Sequence, residues 1–60
     1  MAAEFELYKD DAGEFRWRLQ AENIEIIADS AEGYVQKADC EHGIVLVRTL
    51  APTVPVNDLT

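Results

Sequence analysis

The sequence predicts an α+β fold: a three-stranded antiparallel meander, one helix and a C-terminal strand, completed by pairing with a second copy of the chain. Three observations carry this reading. Two stretches near the N-terminus alternate polar and apolar residues with the period of a half-buried strand. From Tyr34 onward the apolar residues fall instead at helical intervals. Finally, in a chain of 60 residues the gain from burying apolar surface barely offsets the conformational entropy lost, so such chains need a staple.

The first strand is Glu4-Phe5-Glu6-Leu7-Tyr8-Lys9, with Phe5 and Leu7 on one face and Glu4, Glu6 and Tyr8 on the other. Asp10-Asp11-Ala12-Gly13 is a turn, where Gly13 can take a positive φ. Residues 14–20 form the second strand. Phe15, Trp17 and Leu19 point one way; Arg16, Arg18 and Gln20 point the other. A second turn at Ala21-Glu22-Asn23, with Asn23 suited to the left-handed region, leads into a third strand over residues 24–28. Connections this short make the three strands an antiparallel meander.

Ser30 is the predicted N-cap of the helix, with Asp29 and Glu32 placed to suit its positive end. Tyr34, Ala38 and Val45 lie on one row of that helix, and Cys40, Ile44, Val47 and Leu50 on the next. It ends near Leu50, because Pro52 cannot continue it and disfavours a helical Ala51. Residues 44–47 are apolar all round, so this part is either buried on every side or in contact with a partner. Gly43 costs the helix about 0.5–1 kcal/mol relative to alanine. Close approach to the sheet would compensate; a break into two short helices is the alternative. Residues 53–60 alternate again, and Pro55 confines them to a sheet edge or end.

The staples can be taken in turn. Cys40 is the single cysteine, so no disulfide can form within the chain. Cys40 and His42 are two zinc-type ligands where a structural site needs four, so no metal is expected. Oligomerisation is left. The composition, 48% hydrophobic, is that of a globular domain, residues 1–60 forming one unit. No stretch approaches the apolar length of a membrane span, so no membrane partner is expected. Residues 1–4 lack the basic and apolar parts of a signal peptide, which makes the cytoplasm the expected location. The net charge of −7, from twelve acids against five bases, repels a phosphate backbone and argues against nucleic acid. That acidity fits a plainly solvated surface, and it also fits a halophilic one, where a salty cytoplasm screens the self-repulsion.

Taken together, Phe5-Glu6-Leu7-Tyr8-Lys9-Asp10, Gly13, Phe15-Arg16-Trp17-Arg18-Leu19, Ile26-Ile27-Ala28, Ser30, Glu32-Gly33-Tyr34, Lys37-Ala38, Cys40, Gly43-Ile44, Val47, Ala51-Pro52 and Asp58-Leu59-Thr60 span nearly the whole chain. As an ordered set they resemble the YegP-like family of small uncharacterised proteins. The resemblance implies a β-β-β-α-β unit, found as a tandem repeat or as a homodimer whose last strands are exchanged into one shared sheet with the helices on one face. One unit here implies the homodimer. No activity is established for that family, so the resemblance carries over no catalytic or ligand-binding residue. The chain departs from the family at the second turn, where Asn23-Ile24 stands in place of Asn-Gly. Either the turn shifts onto Glu22-Asn23 or Ile24 already belongs to the strand.

Candidate chemistry is sparse. Trp17 between two arginines suggests base stacking, but alternation sends it to the opposite face, into the core. Arg16 and Arg18 are expected to pair across strands with Glu4, Glu6 or Glu25. Residues two apart on a helix diverge, so a buried Cys40 and a solvent-facing His42 do not meet as nucleophile and base. No phosphate loop, calcium loop or hydrolase set is present, so neither an enzyme nor a cofactor is expected. What remains is the polar face of the sheet, Tyr8, Arg16, Arg18, Gln20 and Glu25, as an interaction surface, and Ile44, Val47, Val54, Val56 and Leu59 as the dimer interface. The leading expectation is a homodimeric structural or protein-interaction module, its other protein partner unidentified. The alternative is a weak binder of nucleic acid or another anionic ligand through Arg16 and Arg18.

Overall fold

The computed structural model describes residues 2–60; Met1, which the single-domain and N-terminal readings include, lies outside the described residues. Strands β1 (Glu4–Lys9), β2 (Phe15–Gln20) and β3 (Ile26–Asp29) precede one helix, α1 (Lys37–Leu50). The sheet runs β1-β2-β3, antiparallel throughout, as the alternation and short turns predict.

Register follows the alternation. Phe5 lies opposite Leu19, Leu7 opposite Trp17 and Lys9 opposite Phe15; Glu4, Glu6 and Tyr8 lie opposite Gln20, Arg18 and Arg16. Asp10 fixes this hairpin. Its Oδ1 accepts the backbone N–H groups of Ala12 and Glu14, each at 2.9 Å, and its Oδ2 accepts Arg16 Nε at 2.6 Å. Gly13 supplies the positive φ, +80°, that closes the turn. The Arg16 guanidinium, followed by the Glu14 amide, holds the Asp10 carboxyl below the usual carboxylate range.

The core is small. Among the described residues only Trp17, Cys40 and Ser30 are buried. Trp17 meets Phe5 edge-to-face, centroids 5.7 Å apart and planes at 71°. Helix α1 lies across β1 and β2, and among the described residues it packs nothing against β3. Cys40, Gly43, Ile44 and Val47, three or four apart, form its better-covered stripe. Gly43 is where helix and sheet come closest: a Cβ there would stand 2.8 Å from the Tyr34 hydroxyl and 3.4 Å from Trp17 Nε1. The helix passes through it unbroken, so close approach is the compensation for its low propensity. Asp39 in the first turn and Arg48 in the last complement the helix dipole.

Three expectations need correction. Ser30 does not cap the helix, which begins at Lys37 rather than directly after Ser30 and so leaves Tyr34 outside it; Gln36 is the N-cap and makes no side-chain capping bond. The reason is that the chain after β3 goes on bonding to β2. Ser30 donates its N–H to the Trp17 carbonyl at 2.9 Å and accepts the Trp17 N–H on Oγ at 3.1 Å, while Phe15 and Tyr34 exchange two backbone bonds of 2.8 Å. Those donors and acceptors are unavailable to a helix.

The third strand is residues 26–29, not 24–28, and the residue in the left-handed region is Ile24 (φ +71°), not Asn23. Ile24 donates to the Ala21 carbonyl at 3.0 Å, and Ala21 donates to the Glu25 carbonyl at 2.7 Å. The turn thus absorbs Ile24 and Glu25 at the cost of a β-branched residue in a disfavoured region. A β-bulge follows between Leu19 and Gln20: Gln20 faces Ile26 and Leu19 faces Ala28, so Ile27 is the extra residue.

The third correction concerns the end of the chain. Helix α1 stops at Leu50, near the end Pro52 predicts, but Ala51 is itself helical in φ and ψ (−52°, −40°) and donates to the Val47 carbonyl at 3.0 Å, contrary to expectation; a turn follows, and among the described residues 54–60 form no strand. In the single chain this segment pairs with neither outer edge of the sheet, β1 or β3.

Two outcomes follow from this packing. Gly43→Ala should lower the melting temperature, because overpacking against Tyr34 and Trp17, about 1–3 kcal/mol, exceeds the roughly 1 kcal/mol that alanine adds to an exposed helix. Thermal melting followed by circular dichroism reads the sign. Asp10→Asn keeps the turn acceptor and removes the charge facing Arg16. Because the Asp10 carboxyl is depressed in the fold, its contribution is present above the ordinary carboxylate range and is lost as pH falls through the folded value. Melting curves of wild type and variant should therefore differ at neutral pH and converge in acid, below about pH 4.

Candidate functional site

The polar face of the sheet is assembled by strand pairing alone. Tyr8, Arg16, Arg18 and Gln20 share it because they are cross-strand partners or two residues apart on one strand. The Arg18 guanidinium lies 4.7 Å from the Tyr8 ring centroid and donates from Nε to Glu6 Oε1 at 2.7 Å. Arg16 is held by Asp10 and also reaches the Ser30 carbonyl from Nη1 at 3.4 Å. Each arginine is thereby made harder to deprotonate, Arg18 by the bond from Glu6 and Arg16 by the bond from Asp10.

Of the two cross-strand pairs expected, Arg18 takes its partner from β1 as the register requires. Arg16 instead turns to the hairpin end, where Asp10 is nearer in line. Glu25 does not join the other four in the ladder. It sits before β3 with its carbonyl committed to the turn and its N–H to Asn23 Oδ1 at 3.3 Å, and Gln20 has Ile26 as its partner. The chemistry this face offers is therefore a tyrosine ring capped by a guanidinium, bordered by two internal ion pairs. Its positive charges are already matched by carboxylates, which leaves little field for an anionic ligand.

The residues predicted for a dimer interface separate into two groups. Ile44 and Val47 are half-buried against the sheet, whereas Val54, Val56 and Leu59 are exposed. Alongside the tail, two further apolar groups are open: Val45, Leu46 and Leu50 on α1, and Ile24, Ile26 and Ile27 at the second turn and the start of β3. The pattern held a signal for both. Two consecutive isoleucines cannot both face the core in a period-2 strand, and four consecutive apolar residues cannot all face one sheet from a helix.

The remaining candidates stay apart. Cys40 is fully buried, and burial pushes its thiol up, with Glu41 adding to the effect; His42 is exposed. Among the described residues no three His, Cys, Asp or Glu side chains converge to hold a metal ion, and no helix is long and apolar enough to cross a membrane. The Trp17 indole N–H, close to Gly43, is a buried polar group without a hydrogen-bond partner.

Comparison with known proteins places this architecture. A family profile described as "Domain of unknown function (DUF1508)" matches residues 10–58. The UPF0339 protein of Neisseria meningitidis serogroup B is 47% identical over 55 residues, covering 92% of this chain and 96% of that protein. The UPF0339 protein of Treponema denticola is 50% identical over 56 residues, covering 93% of this chain and 95% of its own length. A UPF0339 protein from the ptx operon 5′ region of Stutzerimonas stutzeri is 48% identical over 52 residues, which cover 87% of this chain but 46% of the relative. Among solved structures, the NMR solution structure of a protein from Haloferax volcanii superposes with a TM-score of 0.89 at 42% identity, covering 95% of both chains. The meander, the helix and the matched residues agree: this chain belongs to the DUF1508 (UPF0339) family of domains of unknown function, the same family as the YegP-like proteins.

Proposed function

We propose that the chain acts in the cytoplasm as a homodimeric, non-catalytic interaction module. Residues 53–60 of each copy are exchanged to complete one shared antiparallel sheet with both helices on one face. The observation that carries this is the unsatisfied surface of the single chain. It exposes 4844 Å², whereas a folded monomer of 6.7 kDa exposes roughly 3,900 Å². Its Cα radius of gyration is 12.7 Å, against roughly 10 Å for a compact domain of this length. The surplus, roughly 900 Å², is close to the area of about 800 Å² that each partner contributes to a standard interface.

The composition of that surplus supports the same reading. Val56 and Leu59 are 94% and 86% exposed, which is unusual for large apolar side chains at the end of so small a domain. The Stutzerimonas relative, about twice as long as the matched segment, has room for two such units in one chain. In the dimer the Tyr8, Arg16, Arg18 and Gln20 faces would lie on the side of the sheet away from the helices, doubled into one broad surface on which another protein could dock.

Multi-angle light scattering should give twice the chain mass at micromolar concentration; a monomer that still melts cooperatively would overturn the reading. Deleting residues 53–60 should abolish cooperative folding, since the segment lost belongs to the partner's sheet. Pairing two chains of net charge −7 also sets like charges together. Added KCl should therefore tighten the dimer, the dissociation constant falling as the Debye length shrinks toward about 3 Å at 1 M salt. Sedimentation equilibrium across a KCl series checks this.

A further inference from the structure

The open side of the sheet holds more than Tyr8, Arg16, Arg18 and Gln20. Arg18 and Gln20 share that side, so their β3 partners, Asp29 and Ile26, share it too; the bulge at Ile27 lets residues three apart do so. Two rows therefore cross all three strands, with Glu4, Gln20 and Ile26 in one and Glu6, Arg18 and Asp29 in the other. We propose, building on the open face as a protein-docking surface and independently of the dimer, that this end of it docks a basic segment of another protein. Ile26 takes a large apolar side chain of that segment, and Glu4 and Asp29 take the lysines or arginines beside it.

Charge carries the choice of partner. The arginines of the face are already engaged: Arg18 Nε bonds Glu6 at 2.7 Å with its guanidinium over the Tyr8 ring, and Arg16 bonds Asp10. Among the described residues no ion pair involves Glu4, Asp29 or the nearby Glu25. The two rows thus set three carboxylates against one guanidinium. Between Arg18 and Lys37 the chain has Glu22, Glu25, Asp29 and Glu32 and no lysine or arginine. Such a surface attracts a cationic partner and repels an anionic one. A second copy does not supply the match, since it brings the same net charge of −7, and its apolar tail, residues 53–60, has Asp58 and no base.

Exposure carries the anchor. Ile26 is exposed, as are Ile24 in the turn before it and Ile27 at the bulge. An apolar centre with charges at its rim is the anatomy of an interface, where the centre excludes water and the rim selects the partner. Strands about 4.8 Å apart, and residues about 7 Å apart along each, give the two rows a footprint of roughly 10 by 7 Å. That area suits one large side chain with a charge on either flank. Ile24 adds a further sign. It occupies a strained position at φ +71° and is 72% exposed, so packing within the chain offsets little of the strain.

Titration of the ¹⁵N-labelled full chain, read by amide chemical shifts, tests the site. The probe is a short peptide of alternating lysine and leucine, blocked at both ends. Shifts should saturate and centre on Glu4, residues 18–20 and residues 24–29. A lysine–serine peptide should bind about tenfold more weakly, and Ile26→Thr should cost the lysine–leucine peptide as much, because each removes the anchor. Asp29→Asn should weaken binding about threefold, whereas Glu41→Gln, which removes the same charge from an exposed position on α1, should leave it unchanged. Added KCl should loosen this complex, the opposite sign from the dimer. The shift map and the two peptides use the wild-type chain, so they decide the matter even where a variant fails to fold. Shifts centred on α1, or equal losses in Asp29→Asn and Glu41→Gln, would reveal attraction to net charge alone and overturn the proposal. So would the absence of any shift at millimolar peptide. A glutamate–leucine peptide that bound the same residues equally well would overturn the partner's chemistry and leave the docking face standing. Shifts at these residues that follow protein concentration without peptide would assign the face to a second copy and also overturn it. Light scattering on the same sample reads the dimer separately.

Discussion

The structure depends on the contact between Trp17 and Gly43. Trp17 occupies the central strand, bonded through both backbone groups to Ser30, with its ring edge-to-face against Phe5. The missing Cβ at Gly43 is what lets the helix settle that close. Everything else is arranged around this approach. Cys40 is buried one turn earlier, Ile44 and Val47 extend the stripe, and Tyr34 is held by its bridge to Phe15 with its hydroxyl beside the glycine. A tryptophan beneath a glycine is an efficient use of few residues, since one large ring does what several aliphatic side chains do in a longer domain.

The same economy explains why the chain is left open. Only the two strands beneath the helix are covered, and a third strand in a domain this small has no second layer available. Its isoleucines and the apolar tail are the large apolar groups that the single chain leaves exposed. The polar face answers a different demand. Its ion pairs and the stacked Tyr8–Arg18 pair satisfy its charges locally, whereas the β3 side has no such provision.

Much of this was legible in the residues, and what was not has physical causes. β1 and β2 stand out because strict alternation admits one reading, and the helix end because proline admits one too. The start of the helix was misread at Ser30 because a serine hydroxyl serves equally to cap a helix or to accept a backbone N–H from a neighbouring strand. Local sequence does not rank the two. The turn at Ile24 was misplaced because propensity puts asparagine in the left-handed region and tertiary pairing overrode it. Of the proposed polar face, four residues come from the hairpin whose register alternation fixes. Glu25 comes from the segment where a bulge broke the count. The open isoleucines did leave a mark, since the adjacent Ile26 and Ile27 already break the period of two.

The burial of Cys40 has a consequence for how the protein can be observed. With its thiol fully enclosed and its ionisation opposed by burial, the single cysteine is a poor nucleophile while the helix is seated. A thiol reagent can reach it only when α1 lifts from the sheet. Its labelling rate, compared with that of an unprotected thiol, therefore measures the free energy of opening under native conditions. The chain thus carries, at the centre of its smallest and most critical contact, a native gauge of its own cohesion.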